Sequence, residues 1–261
     1  MPQPCPRSSG WSPRRLVTAF AGLIVMAAFD PAWAYRPFNG TDAAVADPGE
    51  MEVELQPAGR LQEGSSTTLV APPTVLNFGF AQRWEAVVEG RGETPLSPGG
   101  PTVFTDGGVF LKNVLREGSL QDKQGPSIAI EFGTLLPDSI GENRFGASVA
   151  GIVSQRFAWG TAHFNLQTEL TRDQHADVFV STILEGPSKW TVRPVAEFFY
   201  ERQFDQFETV SALVGLIWQV RENVAVDFAV REASTNGRPV NEIRAGVTFG
   251  VPLRLSGSTR H

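Results

Sequence analysis

Apolar and polar residues alternate with a period of two along the last third of the chain, over unusually long stretches. Near the C-terminus, Ile243, Val247 and Phe249 fall on one face, while Arg244 and Thr248 fall on the other. Strands of soluble domains usually have about 5–6 residues, whereas a tilted strand that crosses a bilayer needs roughly 9–11. The pattern therefore predicts an all-β fold, namely an antiparallel transmembrane β-barrel.

Strand-like patterning recurs from residue 51 to residue 253 and gives about 12 candidate strands. An even number is what a bacterial barrel requires when both of its ends lie in the periplasm. The predicted strands are 51–57, 74–80, 83–91, 108–116, 126–135, 144–155, 160–171, 177–186, 190–202, 208–220, 223–232 and 241–253.

The connections between these strands predict which end faces the periplasm, because periplasmic turns are short and outer loops are longer. The longest predicted outer loops are 58–73 and 92–107. One periplasmic connection, residues 117–125, is longer than this rule expects. The asymmetry favours a membrane barrel over a soluble β-sandwich, whose strands would show the same alternation with the two faces exchanged.

Tryptophan placement is a second indication of a membrane barrel. Trp84, Trp159, Trp190 and Trp218 each lie in or near a predicted short turn at the same end. Indole rings prefer the headgroup level of a bilayer, so the four residues predict an aromatic girdle at the periplasmic interface.

The N-terminus carries the parts of an export signal. Arg7, Arg14 and Arg15 precede an apolar run, and a small residue at each side of Trp33 gives a cleavage site after Ala34. The predicted organisation is a signal peptide, an irregular segment, an outer-membrane barrel and a polar tail, at 1–34, 35–50, 51–253 and 254–261.

Composition narrows the function classes. The whole chain carries −6 and residues 1–34 carry +2, which leaves −8 for residues 35–261, a segment without cysteine. No basic cluster is present that could neutralise phosphates, so we expect no nucleic-acid partner. The absence of cysteine from this segment excludes thiolate nucleophiles and cysteine-ligated metals there.

The polar face of the predicted strands gives candidate lumen residues. Carboxylates and arginines on facing strands create a transverse field that sorts polar or charged solutes, or they pair and fill a closed barrel. Both alternatives fit a barrel of this size. The candidate lumen-lining residues are His163, Glu169, Arg193, Glu197, Glu201, Asp227, Arg231 and Arg244.

Catalytic chemistry has little support. His163 shares a lumen row with Asn165 and Glu169, and His175 lies beside Asp173 in a predicted outer loop. A carboxylate–histidine pair at the rim could activate water, but no second half of such a site is recognisable. No phosphate-binding glycine loop, zinc spacing or nucleophile elbow occurs, so we expect no enzyme, no cofactor and no metal.

Three stretches of the chain resemble a known family. Residues 36–55, 77–90 and 241–252 resemble the outer-membrane transporters of the MetA-type phenol-degradation family. The resemblance covers nearly the whole segment after the signal, and its motifs belong to the barrel and the N-terminal segment. It implies a membrane barrel that carries small, often aromatic, organic molecules, and it implies no catalytic residues.

The leading hypothesis is a passive outer-membrane channel for small aromatic or hydrophobic organic solutes, with a charged lumen. Its expected partners are the lipid bilayer, a small solute and the barrel-insertion machinery. The alternatives are a structural or partner-binding barrel without transport, a hydrolase with its site at the rim, and a soluble periplasmic β-protein.

Overall fold

The computed structural model of the chain describes residues 37–253. The predicted signal peptide, its cleavage after Ala34 and the predicted tail at 254–261 lie outside the described residues. The strands are β1 (Glu50–Glu63), β2 (Ser66–Val70), β3 (Thr74–Ala81), β4 (Trp84–Ser97), β5 (Val103–Arg116), β6 (Ser127–Leu135), β7 (Gly146–Phe157), β8 (Gly160–Leu170), β9 (Ala176–Glu185), β10 (Val192–Gln203), β11 (Phe207–Arg221), β12 (Val224–Thr235) and β13 (Arg238–Pro252).

All the strand pairs are antiparallel, and the sheet closes on itself because β13 pairs with β1. β2 and β3 share one position in the barrel, since both lie between β1 and β4 and each covers a different half of them. Pro72 and Pro73 separate the two pieces, as expected for residues that cannot donate to a strand ladder. The result is a closed twelve-position barrel, which confirms the predicted fold class.

The predicted long outer loops are wrong. The range 58–73 contains the second half of β1 and all of β2, and the range 92–107 contains the end of β4 and the start of β5. The strands continue as hairpins where loops were expected, so the connection lengths at the two ends are not the ones that the sequence predicted. Bulges near Leu55 and Glu89 shift the alternation and hide these continuations in the sequence pattern.

The outer surface of the barrel is apolar. Large side chains that alternate with buried ones project outward on every strand from β7 to β12, among them Phe164, Phe198, Val214, Leu216 and Phe228. A closed sheet pairs its backbone N–H and C=O groups internally, and an apolar belt around it suits a hydrocarbon environment. No helix within residues 37–253 has the length and hydropathy needed to cross a bilayer.

The two ends of the barrel are distinguished by their connections. One end, here called the tryptophan end because Trp84, Trp159, Trp190 and Trp218 lie at or near it, carries the turns between β3 and β4, β7 and β8, β9 and β10, and β11 and β12. It also carries the connection from β5 to β6, which contains a one-turn 3₁₀ helix, Ser119–Gln121. The opposite end, here called the loop end, carries the remaining connections apart from 71–73, which joins β2 and β3 within the wall, and the longest of them is 136–145.

Candidate functional site

Residues 37–49, here called the inner segment, form neither helix nor strand and run inside the barrel near the tryptophan end. Its backbone is held by side chains of the wall, which accept hydrogen bonds of 2.6–3.0 Å from its N–H groups. The pairs are Asn39 and Gly40 with Glu197, Thr41 with Asn165, Ala43 with Ser154, and Ala46 with Glu85. The segment therefore contacts the wall from β4 round to β10.

Two glycines allow this close approach. A Cβ atom at Gly40 would overlap the hydroxyl of Ser181 and the amide of Asn165, and one at Gly79 would overlap the carbonyl oxygen of Ala46. Both positions are therefore restricted to glycine unless the inner segment moves. The position of the inner segment therefore depends on a glycine of the wall as well as on one of its own.

On the side of β9–β13, here called the packed half, the inner segment and the wall form a filled core. Phe38 packs against Val195, Ile217 and Ala225, all of which are buried. Arg244 donates to the carbonyl oxygen of Pro37 at 2.7 Å, so this polar side chain also fixes the segment.

Three arginines of the packed half form ion pairs with nearby carboxylates. Arg231 and Arg244 both lie 2.9 Å from Glu242, and Arg193 lies 3.7 Å from Glu185. Buried charges are tolerated when opposite charges and hydrogen bonds compensate for their lost hydration. The arrangement therefore serves to hold this half together.

A serine–histidine–carboxylate chain lies at the border of the packed half, and sequence reasoning missed it. Ser154 Oγ is 2.8 Å from His163 Nδ1, and His163 Nε2 is 3.2 Å from Glu185 Oε1. Ser154 is fully buried and its hydroxyl accepts the N–H of Ala43. The hydroxyl is therefore engaged in holding the inner segment rather than presented to a substrate. Ser154 and His163 are directly opposite each other on β7 and β8, so the register of this hairpin could have indicated the contact.

The opposite side of the lumen, formed by β3–β8 and here called the cavity half, contains a cavity of about 990 Å³. The inner segment and β1 complete its wall. It extends from Arg83 and Lys123 at the tryptophan end to Leu135 and Glu169 near the loop end. The inner segment thus narrows the lumen without filling it.

The strand register arranges the wall of the cavity half in three inward-facing rows. The first row is charged. The second, here called the apolar row, is apolar on β4 and β5 and polar at its far end on β7 and β8, and the third row begins with a further carboxylate. In order, the rows are Glu85–Lys112–Glu131, then Val87–Phe110–Gly133–Ser148–Glu169, then Glu89–Gly108–Leu135.

Carboxylates outnumber cations around the cavity, with eleven acidic and three basic residues in its lining. Two of the basic residues, Arg83 and Lys123, lie at the rim, whereas Lys112 lies deep inside. Lys112 Nζ is 3.5 Å from Asp42 and 3.9 Å from Glu85. Within residues 37–253 no hydrogen bond or ion pair engages the side chain of Glu89 or Glu131, so both carboxylates face the cavity without a direct partner.

Apolar side chains form one patch in this otherwise polar wall. Val87, Phe110 and Leu135 cluster with Val75, and all four border the cavity. The Phe110 ring lies so close to Gly133 that a Cβ atom there would overlap it. Inward apolar residues of this kind break the period-two alternation of β4 and β5.

Arg172 contacts two other parts of the chain at the loop end. Its guanidinium donates to the carbonyl oxygens of Leu136 and Gly107, at 2.6 and 2.8 Å, and lies 3.5 Å from Asp138. Burial raises the pKa of Asp138, although the neighbouring Arg172 acts in the opposite direction. One side chain therefore joins the 136–145 and 171–175 connections to strand β5.

The second predicted histidine, His175, lies at the rim of the loop end. Its Nε2 is 2.9 Å from Gln206 Nε2 and 3.8 Å from Asp173. Among the described residues, no group of three or more histidine, cysteine, aspartate or glutamate side chains could hold a metal ion.

The eight candidate lumen residues all lie on inward-facing strand positions, but the structure distributes them unequally. Glu169 borders the large cavity, and the other seven do not. Five of those seven are buried, namely His163, Arg193, Glu197, Asp227 and Arg244, and Glu201 and Arg231 are partly buried. A role for these eight in solute passage stays a prediction. Glu89 and Glu131, which the sequence reading missed, contribute to the cavity instead.

The four tryptophans that were predicted to form the girdle lie at one end of the barrel. Trp159, Trp190 and Trp218 are more than half exposed, and Trp84 is partly exposed. Trp159 stacks on Phe157 with ring centroids 5.4 Å apart. Their role as an interfacial girdle stays a prediction.

No family model and no curated protein matches the chain. Solved structures do resemble it. The COG4313 outer membrane channel from Pseudomonas putida F1 is 6% identical, with a TM-score of 0.61, over 80% of this chain and 97% of that one. The NanC porin is 8% identical, with a TM-score of 0.56, over 76% of this chain and 98% of that one.

The KdgM porin, solved with a disordered oligogalacturonate, is 10% identical, with a TM-score of 0.52, over 76% of this chain and 98% of that one. Identities this low establish the fold and nothing finer. An outer-membrane channel among the neighbours is consistent with the resemblance described above, while the MetA-type family name stays a prediction. The chain has the closed β-barrel fold that outer-membrane channels and porins use.

Proposed function

We propose that the protein is an outer-membrane channel that carries small solutes passively. The observation that supports this most strongly is the cavity of about 990 Å³ inside a closed barrel with an apolar outer surface. A cavity of this size lies at the upper end of the roughly 300–1,000 Å³ typical of small-molecule sites. The proposed location follows from the apolar belt, and the bilayer and the insertion machinery are the proposed partners.

The proposed path runs along β3–β8, between the inner segment and the wall. Carboxylates line it from the rim at Glu117 to Glu169 near the loop end. In the packed half, Phe38 and the ion-paired side chains occupy the lumen instead. Passage is therefore proposed through one side of the lumen.

The proposed cargo is a small organic molecule, aromatic or hydrophobic in part. The family resemblance suggests such cargo, and the patch around Phe110 supplies an apolar surface inside the path. A structural barrel without transport is the second candidate, because the inner segment lies in the lumen and is held to the wall by five backbone hydrogen bonds.

Conductance of the protein in a planar bilayer tests the proposal. We expect stepwise insertion with a small unitary current, because the inner segment leaves part of the lumen open. Insertion without current, under solution conditions in which a known porin conducts, would contradict the channel and favour the structural barrel.

A further inference from the structure

The cavity half holds more negative charge than its own cations can balance. Lys112 is the single basic group deep in the described lining, and Glu85 and Asp42 are its ion-pair partners. Glu89 and Glu131 have no direct partner among the described residues. Carboxylates that share a confined space repel one another, and those that are ionised attract mobile cations into it.

The apolar row lies directly between these two carboxylates. Phe110 pairs across the sheet with Val87 and Gly133, while Glu89 and Glu131 occupy the flanking rows. An aromatic face attracts a cation, and this attraction adds to that of nearby carboxylates. In a molecule with an apolar body and an ammonium group, the body can contact the apolar row while the ammonium group lies near a carboxylate.

The packed half provides an internal comparison. Arg193 pairs with Glu185, Arg231 and Arg244 share Glu242, and Glu197 accepts three hydrogen bonds from the inner segment. Those charges are compensated within the protein. Asp177 and Glu201 of this half have no ion-pair partner among the described residues, but neither borders the large cavity, whereas Glu89 and Glu131 do.

We propose that the cavity selects small organic cations, namely amines with an aromatic or aliphatic body, over anions with the same body. The inference rests on the proposed channel function and adds the chemical class of the solute. Glu89 and Glu131 attract the ammonium group, and Phe110 with Val87 and Leu135 contacts the apolar body.

The test uses the protein in a planar bilayer with benzylammonium chloride and potassium benzoate as matched probes. We expect the zero-current potential in a KCl gradient to show preference for K⁺ over Cl⁻. We expect benzylammonium to carry or block current at concentrations at which benzoate does neither.

Three variants separate the parts of the site. In the double variant Glu89→Gln with Glu131→Gln, the K⁺ to Cl⁻ permeability ratio should fall about fivefold or more, since a nearby charge contributes about a factor of five even in water. Phe110→Leu should keep that ratio and weaken the benzylammonium effect about two- to fivefold. Glu232→Gln removes a carboxylate from the exposed outer face and should change neither.

Binding of both probes to the detergent-solubilised protein, measured by titration calorimetry, distinguishes failure of the inference from failure of the channel. A conducting parent that prefers Cl⁻, or that treats benzoate like benzylammonium, overturns the inference and leaves the channel intact. A silent parent that binds benzylammonium through Glu89 and Glu131 contradicts the channel and supports the selectivity. A silent parent that binds neither probe overturns both.

Discussion

The packed half and the cavity half are built from the same alternating pattern but use their inward positions differently. In the packed half, Glu197 and Arg244 bind the inner segment, and small apolar residues such as Ala225 leave room for Phe38. In the cavity half, Glu89 and Glu131 face open space. The comparison shows that an inward charged residue marks the lumen face of a strand. Whether that residue is structural or available to a solute depends on which groups it contacts.

The largest effect is expected from charge placed on the shared outer belt. Val214 is 58% exposed and lies in the middle of β11, so Val214→Arg should lower the free energy of unfolding by about 2–4 kcal/mol. Val226 pairs with Trp218 near the tryptophan end, and Val226→Arg should cost about 0–1 kcal/mol. Urea unfolding in lipid vesicles, followed by tryptophan fluorescence, measures both, and equal costs would contradict the proposed depth of the belt.

A smaller effect is expected from displacing the inner segment. Gly40→Val places atoms where Ser181 and Asn165 lie, so the segment should leave its seat at a cost of about 1–3 kcal/mol. Single-channel conductance should rise, because the displaced segment no longer narrows the lumen.

Gly99→Val is the matched control for this substitution. An added Cβ atom at Gly99 meets nothing within 4 Å, so its conductance and stability should stay near those of the parent. Unchanged conductance in Gly40→Val, together with retained folding, would show that the inner segment does not narrow the path.

The smallest effect is expected at the loop end. Arg172→Gln removes the donors that join Leu136 and Gly107, and should cost about 1 kcal/mol. The 136–145 connection should then be cleaved faster by an added protease, and the conductance should show more frequent open-state fluctuations. Arg202→Gln, which removes an arginine that lies over Phe204, is the control, and an equal increase in cleavage there would remove the special role of Arg172.

The later strands could be predicted from the sequence to within a few residues. From β8 to β13 most outward positions are apolar, so the register follows from the alternation even though large apolar residues such as Phe179 and Leu213 also face inward. In β4 and β5, Val87 and Phe110 face inward and a bulge follows Glu89, which breaks the period. The hairpins that continue β1 and β4 were therefore predicted as loops.

The site was less predictable than the fold, because it depends on which inward residues meet the inner segment. The sequence placed Glu197 and Glu169 on the inner face without showing that the first binds Asn39 and the second borders a cavity. The inner segment has no periodicity that would place it inside the barrel. Long-range hydrogen bonds to the wall fix its position, and no local pattern encodes them.

One paired measurement tests the division of the lumen most directly. Glu197→Gln and Glu89→Gln make the same chemical change in the packed half and in the cavity half, and each variant is assayed for unfolding free energy and for zero-current potential in a KCl gradient. We expect Glu197→Gln to lose about 1.5–3 kcal/mol of stability, because it weakens hydrogen bonds to a charged group. We expect Glu89→Gln to keep the parent's stability and to lower its preference for K⁺. The reverse pattern, or the same change in both variants, would contradict the account.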